Sequence, residues 1–491
     1  MRKPDSWMLV LAICLLLLPF QVLAQITFEC WYGGGRREEG QSVTQTSDDG
    51  YAMCGYTKSF GDPDGDVYLV RTDEYGDTLW TRTFGGSSLE QSFRVEQTND
   101  DGFIIAGLTH SFGSLSQMYL VKTDSFGNLD WQGTYGGGYV EYGYSAQQTS
   151  DNGYIICGSS NTFGAGSYDM YLVKTDSLGV MDWQKTFGGT GNDRGHTVEQ
   201  TDEGGYILAG YTNSFGAGGA DVYLVRTDGN GDTLWTGTYG GSDDDLPHYG
   251  RCVRQTYDGG FVVAGYTKSF GAGSYDIYLL KTDFLGNMEW EKTYGGSDLD
   301  LGRSVEQLPD GGFIIAGSTK NFGAVLYDVY LVRTDADGGV IWTETFGGSD
   351  YDYAESVQRT SDGGFIIGGY TKSYGSGEFD FYLIKTEPDM TGIEETGSQE
   401  IITFFGNEPN PFENFTTVEY NLAQSCIVDV SVYDVNGRLI KELETQNREA
   451  GVHSVIWDGM DNSGMEVTSG IYFCLFRTSG VFTARKMCLI R

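Results

Sequence analysis

Carboxylates recur at two fixed positions along this chain, and they are the first residues that could perform chemistry. One acid stands four residues after the second glycine of each aromatic-Gly-Gly triplet, and another precedes a later apolar run. The first set is Glu38, Glu90, Glu141, Asp193, Asp245, Asp300 and Asp352. The second set is Asp66, Asp169, Asp221, Asp276, Asp328 and Asp380, with Gln117 as the exception. Carboxylates can bind cations or, in pairs, cleave glycosidic bonds.

The regular recurrence of these acids favours a structural role. A residue type present in every repeat serves the fold of the repeat, because a binding site needs only one or two copies. An Asp placed just before a strand accepts hydrogen bonds from the backbone N–H groups of its own loop. The sequence therefore predicts that most of these acids stabilise loops.

Departures from the repeat are better candidates for a ligand site. The fifth repeat has three extra residues, which we expect in the loop 242–248. An insertion on one face of a repeat protein often marks the binding face. We predict ligand contacts from this loop and from the same part of the preceding repeat, and a solvated acidic loop is the alternative. The candidates are Asp243, Asp244, Asp245, His248, His196 and Asp193.

A second oxygen-rich segment, residues 61–66, has the composition of a calcium loop. Asp62, Asp64 and Asp66 alternate with other residues, as the carboxylate ligands of calcium do. The segment lacks the twelve-residue pattern that ends in a Glu. These three residues are the predicted metal ligands, and calcium is the only cofactor that the sequence indicates.

Sequence motifs of catalysis are missing from the chain. Its four histidines are His110, His196, His248 and His453, and none belongs to a nucleophile motif such as Gly-x-Ser-x-Gly. Phosphate-binding loops of the Gly-Lys-Ser type are also missing from the sequence. The sequence favours binding over catalysis, and glycoside cleavage by carboxylates stays an open alternative.

A repeated β-structure must position these residues. Each repeat contains four strand-like segments, and Asp-Gly or Asn-Gly pairs between the second and third indicate tight antiparallel hairpins. The regular spacing identifies the repeats as copies of one structural unit. The aromatic-Gly-Gly triplets begin at Tyr32, Phe84, Tyr135, Phe187, Tyr239, Tyr294 and Phe346.

The third and fourth segments are apolar at nearly every position, as in residues 313–317 and 329–332. Apolar side chains on both faces of a sheet require that both faces be covered. Seven such sheets cover one another when they close into a ring, so we predict an all-β fold with a seven-bladed β-propeller over residues 25–388. The opening segment, 26–32, would complete the seventh blade in one framing of the strands, and the sequence leaves the framing open.

The start of the chain and its charge indicate export. Residues 1–24 combine a basic start, a short apolar run and Ala24, which are the features of a secretory signal peptide. No later segment has the run of about 20 apolar residues that a membrane-spanning helix needs. The formal net charge of -37 disfavours nucleic acid as a partner, because like charges repel. We predict an extracellular or outer-surface location.

A different pattern follows a polar linker at residues 389–405. It begins with Asn407-Glu408-Pro409-Asn410-Pro411-Phe412 and continues through alternating segments to Trp457-Asp458-Gly459 and a final basic and apolar segment. Short alternating strands that are closely spaced by turns predict a small Ig-like β-sandwich over residues 406–491.

Residues 407–491 resemble the C-terminal sorting domain of the type IX secretion system and the related Ig-like domain of flagellar hook scaffolds. The resemblance implies that this domain carries the chain through the outer membrane, with the type IX machinery as its partner. An ordinary Ig-like spacer is the alternative. Residues 26–387 resemble uncharacterised bacterial propeller repeat proteins, and that resemblance implies no particular ligand.

These observations predict a secreted or cell-surface propeller that binds a glycan or a protein. One alternative is a secreted glycan-degrading enzyme that uses carboxylates on one face of the propeller. Another is a structural component for adhesion at the cell surface.

Overall fold

The computed structural model describes residues 25–389 except 114, 250 and 325, and residues 402–491 except 423–424, 435–438 and 479–480. The predicted signal peptide at 1–24 and most of the predicted linker lie outside the described residues. The chain divides into two compact units, Met1–Gly392 and Ile393–Arg491. All regular elements of the described residues are β-strands, which confirms the predicted all-β class.

Seven antiparallel sheets make up the described part of the first unit. Sheet 1 contains β2 Glu38–Gln45, β3 Tyr51–Thr57, β4 Asp66–Thr72 and β5 Thr78–Phe84. Sheet 2 contains β6 Glu90–Gln97, β7 Phe103–Thr109, β8 Gln117–Thr123 and β9 Leu129–Tyr135. Sheet 3 contains β10 Glu141–Gln148, β11 Tyr154–Ser160, β12 Asp169–Thr175 and β13 Met181–Phe187. Sheet 4 contains β14 Asp193–Gln200, β15 Tyr206–Thr212, β16 Asp221–Thr227 and β17 Thr233–Tyr239.

The remaining three sheets follow the same order. Sheet 5 contains β18 Asp245–Pro247, β19 Val253–Gln255, β20 Phe261–Thr267, β21 Asp276–Thr282 and β22 Met288–Tyr294. Sheet 6 contains β23 Asp300–Gln307, β24 Phe313–Thr319, β25 Asp328–Thr334 and β26 Val340–Phe346. Sheet 7 contains β27 Asp352–Arg359, β28 Phe365–Thr371, β29 Asp380–Thr386 and β1 Ile26–Tyr32.

The first strand of the described chain completes the last sheet of the unit. Strand β1 pairs antiparallel with β29, with Cys30 opposite Leu383. The sequence left open which four strands form one sheet, and this pairing shows that the first strand of the chain belongs to the last sheet. The first strand of each sheet contacts the first strand of a neighbouring sheet, and β27 contacts β2. The sheets therefore follow one another in cyclic order with their first strands innermost, an arrangement that favours a propeller.

Burial explains why these segments fold as layers of a ring. The two middle strands of a sheet, such as β24 and β25, are buried at every position, whereas the outermost strand β26 is buried only at Trp342 and Phe346. Core clusters combine neighbouring sheets, as where Ile104 and Leu120 pack with Ile156 and Val173. Removal of apolar surface from water between successive sheets is therefore the main stabilising term.

A repeated hydrogen bond links each sheet to the next beside the innermost strand. The last residue of that strand is a Gln whose side-chain oxygen accepts from a backbone N–H of the preceding sheet, at 2.7–2.9 Å. The pairs are Ser47–Gln97, Asn99–Gln148, Ser150–Gln200, Asp202–Gln255, Tyr257–Gln307 and Ser361–Gln45. Between sheets 6 and 7 the donor position is Pro309, which has no N–H, and the acceptor position is Arg359.

The second unit contains two sheets. The three-stranded sheet has the order β30 Ile402–Glu408, β31 Thr416–Leu422 and β34 Gly451–Trp457. The four-stranded sheet has the order β33 Leu439–Arg448, β32 Cys426–Asp434, β35 Gly470–Thr478 and β36 Val481–Leu489. Trp457 is fully buried in the core of this unit and contacts Phe412 and Tyr472 with ring centroids 5.4 and 4.9 Å apart.

Two further findings concern the described residues as a whole. All seven of their cysteines are free thiols. None of their elements is a helix with the length and apolar character that crossing a bilayer demands.

Candidate functional site

The three extra residues of the fifth repeat lie inside its innermost strand. Strand β17 ends at Tyr239 and the next strand begins at Asp245, the same interval as in the other repeats, so the predicted longer loop at 242–248 is wrong. The insertion instead separates β18 from β19, and both segments pair with β20. Its position has a physical reason, because the other innermost strands already carry a β-bulge there, as between Gly195 and Thr197.

A cavity of about 330 Å³ lies between this broken strand and sheet 4. Its wall contains two histidines, three tyrosines, one asparagine and one aspartate. The lining residues are His196, Tyr211, Asn213, Ala220, Asp244, Leu246, Pro247, His248, Tyr249 and Tyr266. A larger groove of about 430 Å³ near Arg82 and Leu129 lies between outermost strands and lacks buried titratable groups on its wall.

His196 lies in the wall of this cavity and keeps one ring nitrogen without a hydrogen-bond partner in the described part of the chain. Its ring is 4% exposed, and Nδ1 lies 3.0 Å from the carbonyl oxygen of Pro247. A carbonyl can only accept, so Nδ1 carries the hydrogen and Nε2 has a free lone pair. Nε2 is buried and has no hydrogen-bond partner among the described residues. Burial lowers the pKa of His196 to about 3, so the ring stays neutral at physiological pH.

Tyr249, one of the extra residues, provides an aromatic surface. Its ring stacks on Tyr144 with centroids 4.4 Å apart and planes inclined by 17°. The ring also meets the rings of His196 and His248 at 4.7 and 4.6 Å. Residues that lie far apart in the chain therefore form one aromatic cluster at the inner side of the cavity.

A buried ion pair supports the cavity from the next two sheets. Arg303 Nη1 lies 3.0 Å from Glu355 Oε2 and 2.5 Å from His248 Nε2. Burial raises the pKa of Glu355 to about 7, against the opposing effect of Arg303. Burial and the Arg303 charge hold the pKa of His248 well below its usual value. His248 is therefore a neutral ring fixed by a charged neighbour.

The predicted acids divide into different roles. Asp244 reaches the cavity wall, and its Oδ1 accepts from the backbone N–H of Ala220 at 2.9 Å. Asp243 is exposed and lies 3.5 Å from Lys268 Nζ. Asp193 and Asp245 are fully buried as the first residues of β14 and β18. The structure thus brings His196, His248 and Asp244 together at the cavity, and it leaves the other three candidates outside the lining.

Asp245 and Glu38 illustrate the arrangement of the first set of repeated acids. One oxygen of Asp245 accepts from the Thr267 hydroxyl, and the other accepts from the N–H of Gly241 at 2.6 Å and from the Ser269 hydroxyl at 2.7 Å. Glu38 is bonded in a similar way by the Thr57 hydroxyl and by the N–H of Gly34. These acids tie each innermost strand to the strand beside it.

Residues 61–66, predicted to bind calcium, form a hydrogen-bonded loop. Asp66 Oδ2 accepts from the N–H of Asp62 at 2.7 Å, and Asp62 Oδ1 accepts from the N–H of Asp64 at 3.0 Å. Within the described residues, no three His, Cys, Asp or Glu side chains are grouped so as to hold a metal ion. Asp62, Asp64 and Asp66 thus have contacts that stabilise the turn itself.

The three tyrosines of the cavity wall, Tyr211, Tyr249 and Tyr266, were not predicted from the sequence. Tyr211 and Tyr266 precede the last residue of the second strand of sheets 4 and 5, where sheets 1 and 7 also carry Tyr56 and Tyr370. Because tyrosine is the commonest residue at this position, the repeat pattern gave no signal for the two residues. Tyr249 lies in the insertion, and its stacking partner comes from sheet 3. Only the ring closure brings these residues together.

The second unit contains a segment that matches a known protein family. Residues 413–474 match the family model of the FlgD Ig-like domain. This match confirms the predicted Ig-like domain at the C-terminus. A curated relative, the regulatory protein FlaEY of Caulobacter vibrioides, is 30% identical over 141 residues. That alignment covers 24% of this chain and 15% of the length of the relative.

Solved structures show only distant likeness. PorZ of Porphyromonas gingivalis, a surface component of the type IX secretion system, is 12% identical with a TM-score of 0.42, over 90% of this chain and 58% of PorZ. A fungal alcohol oxidase of the AA5 family is 11% identical with a TM-score of 0.47, over 95% of this chain and all of the oxidase. At such scores neither likeness carries an argument about function.

Proposed function

We propose that the protein is an exported binding protein whose ring of sheets takes a sugar residue of a glycan in the cavity beside the broken strand. The observation that carries the proposal is the buried, unpaired Nε2 of His196 next to the aromatic cluster of Tyr249. A sugar offers hydroxyl donors to such an acceptor and an apolar C–H face to aromatic rings. The cavity volume of about 330 Å³ lies within the range of small-ligand pockets.

The charges around the cavity favour a neutral ligand. His196 and His248 are neutral, and Arg303 is paired with Glu355. Asp244 keeps a carboxylate at the wall, and the chain as a whole has a formal net charge of -37. Anions are therefore repelled, while uncharged hydroxyl groups meet both donors and acceptors. This chemistry supports a neutral glycan over a nucleotide or an acidic peptide.

The export part of the proposal depends on the C-terminal domain. Its match to an Ig-like family and the sequence resemblance of residues 407–491 support a role as a type IX sorting address. The signal peptide predicted at 1–24 would deliver the chain to the periplasm. In a bacterium with type IX machinery, we expect a chain truncated after residue 405 to remain inside the outer membrane.

The binding proposal is tested with the exported full chain on an array of neutral and acidic glycans. We expect binding to neutral glycans, and about tenfold or greater loss in Asn213→Ala and Tyr249→Ala, since each removes roughly 1–2 kcal/mol of contact energy. Asn213 is exposed at the cavity, so its replacement leaves the core intact. Tyr75→Ala is the matched control, because Tyr75 is 68% exposed and lies outside the cavity lining.

Release of reducing sugar from the same glycans separates binding from cleavage. No release is expected. Turnover that is lost in Asp244→Asn would replace the binding proposal with a glycan-degrading enzyme, and equal binding by all variants would place the ligand elsewhere.

A further inference from the structure

Two carboxyl groups face each other where successive sheets of the ring meet. At the junction of sheets 4 and 5, a Cβ added to Gly240 would collide with Asp221 Oδ1 and stand 2.6 Å from Asp245 Oδ2. Both acids are buried, with exposures of 1% and 0%. The glycine therefore leaves room for two carboxyl oxygens at one point. The same arrangement joins five further pairs, Asp66 with Glu90, Asp169 with Asp193, Asp276 with Asp300, Asp328 with Asp352, and Asp380 with Glu38.

At two of the pairs, one buried carboxyl oxygen lacks a hydrogen-bond donor, namely Asp66 Oδ1 and Asp221 Oδ1. Asp221 Oδ2 accepts from the N–H of Ala217 at 2.9 Å, whereas Asp221 Oδ1 is buried without a hydrogen-bond partner. Asp245 already accepts from the Thr267 hydroxyl, the Ser269 hydroxyl and the Gly241 N–H. One hydrogen in the gap between the two acids would satisfy the remaining oxygen.

One junction of the ring contains a hydrogen donor in this gap. Between sheets 2 and 3 the Asp is replaced by Gln117, and Gln117 Nε2 donates to Glu141 Oε2 at 3.0 Å. A neutral amide thus makes the bond that two ionised carboxylates cannot make. The replacement indicates that the gap needs a donor hydrogen.

We propose that each of these six junctions binds one proton, held as a hydrogen bond from the carboxyl group of one acid to the carboxylate of the other. Two buried carboxylates that flank one glycine cannot both ionise without large repulsion. The shared proton removes one negative charge and supplies the missing donor. The ring of sheets is therefore held more tightly under mildly acidic conditions than under alkaline ones.

Among the described residues, no Lys, Arg or His side chain forms an ion pair with any of these twelve acids. The titratable groups that face the pairs are acids and phenols: Asp244 faces Asp221, Tyr278 faces the Asp221 pair, and Tyr68 faces the Asp380 pair. Tyr223 faces the Asp169 pair, Tyr330 faces the Asp276 pair, and Tyr374 and Tyr382 face the Asp328 pair. Asp62 and Tyr119 face the Asp66 pair.

The direction of the titration follows from burial. Burial and the neighbouring Glu38 raise the pKa of Asp380 from 3.8 to about 6. The pKa values of Asp169, Asp221, Asp300 and Asp328 are raised for the same two reasons. Because the folded pKa lies above the unfolded pKa, the stabilisation is complete below about pH 4 and disappears as the pH rises through about 6.

The proposal is tested by thermal unfolding of the full chain at about pH 5 and about pH 8. Wild type should unfold at a higher temperature at pH 5 than at pH 8. The control variant measures how much of this difference comes from a change of one surface charge. Asp380→Asn should gain about 2 °C or more at pH 8 and lose part of the pH dependence, because its amide donates to Glu38 as Gln117 donates to Glu141. Asp337→Asn, at an exposed residue, is the charge-matched control.

A reciprocal variant keeps the proposal falsifiable if one replacement fails to fold. Gln117→Glu adds a seventh pair, with Glu141, and should lower the unfolding temperature at pH 8 more than at pH 5. Infrared spectra at pH 5 should show a protonated carboxyl band that weakens in Asp380→Asn. Calcium that stabilises wild type at pH 8 but not Asp380→Asn would show a metal ion in the gap and overturn the proposal. Equal destabilisation of Asp380→Asn at both pH values would also overturn it.

Discussion

The innermost strands of sheets 4 and 5 begin alike and then differ. Strand β14 runs without a break from Asp193 to Gln200, whereas the strand that starts at Asp245 is split into β18 and β19. The anchors on both sides of the break are kept. Asp245 still accepts from Thr267, and Gln255 still accepts from the N–H of Asp202 in the preceding sheet. Insertions are therefore tolerated between two fixed points of the ring.

Repeated and unrepeated residues therefore have different roles in the two sheets. Repeated acids and glutamines bond within and between sheets, and they recur because every junction must be closed. Unrepeated residues, such as His248 and Tyr249 in the insertion, are free of that demand and line the cavity. A repeat protein can thus carry a single site without altering the ring that supports it.

The largest effect is expected from a repeated glycine at a junction. Gly295 has a φ of +155°, and a Cβ there would collide with both Asp276 Oδ1 and Asp300 Oδ2. We expect Gly295→Ala to lower the free energy of unfolding by about 3 kcal/mol, measured by chemical denaturation. Gly138→Ala is the control, because no atom lies within 4 Å of its added Cβ. Equal losses in the two variants would contradict the junction role.

A smaller effect is expected from repairing the one junction that lacks the glutamine bond. Replacing Pro309 with Ser supplies an N–H, and Arg359→Gln supplies the acceptor found at the six other junctions. The double variant should gain about 1 kcal/mol in free energy of unfolding, the usual net value of one hydrogen bond. Each single variant serves as a control and should gain less. A double variant no more stable than the singles would show that the bond contributes nothing.

Much of the ring was predictable from the sequence, because one pattern repeated along the chain indicates one structure at every copy. The strands Tyr206–Thr212 and Asp221–Thr227 have the bounds that the apolar runs and turns predict. The framing of the strands was not predictable, since pairing of β1 with β29 depends on ring closure.

The candidate site was predictable only in part. Its two histidines and Asp244 were found because they break the repeat. The insertion was placed in the wrong segment, because sequence spacing alone does not say whether a strand or its loop absorbs added residues. Tyr211 and Tyr266 were missed because a tyrosine in an apolar strand has the pattern of a core residue.

The most direct test of the account is to restore the regular strand in sheet 5 and measure glycan binding. Deleting residues 249–251 and replacing Pro247 with Gly converts the strand to Asp-Leu-Gly-His-Cys-Val-Arg-Gln, which has the length of β14 and β23. The account predicts a chain that unfolds at the same temperature as wild type or higher and no longer binds the glycan. A restored chain that folds and binds as wild type does would contradict it.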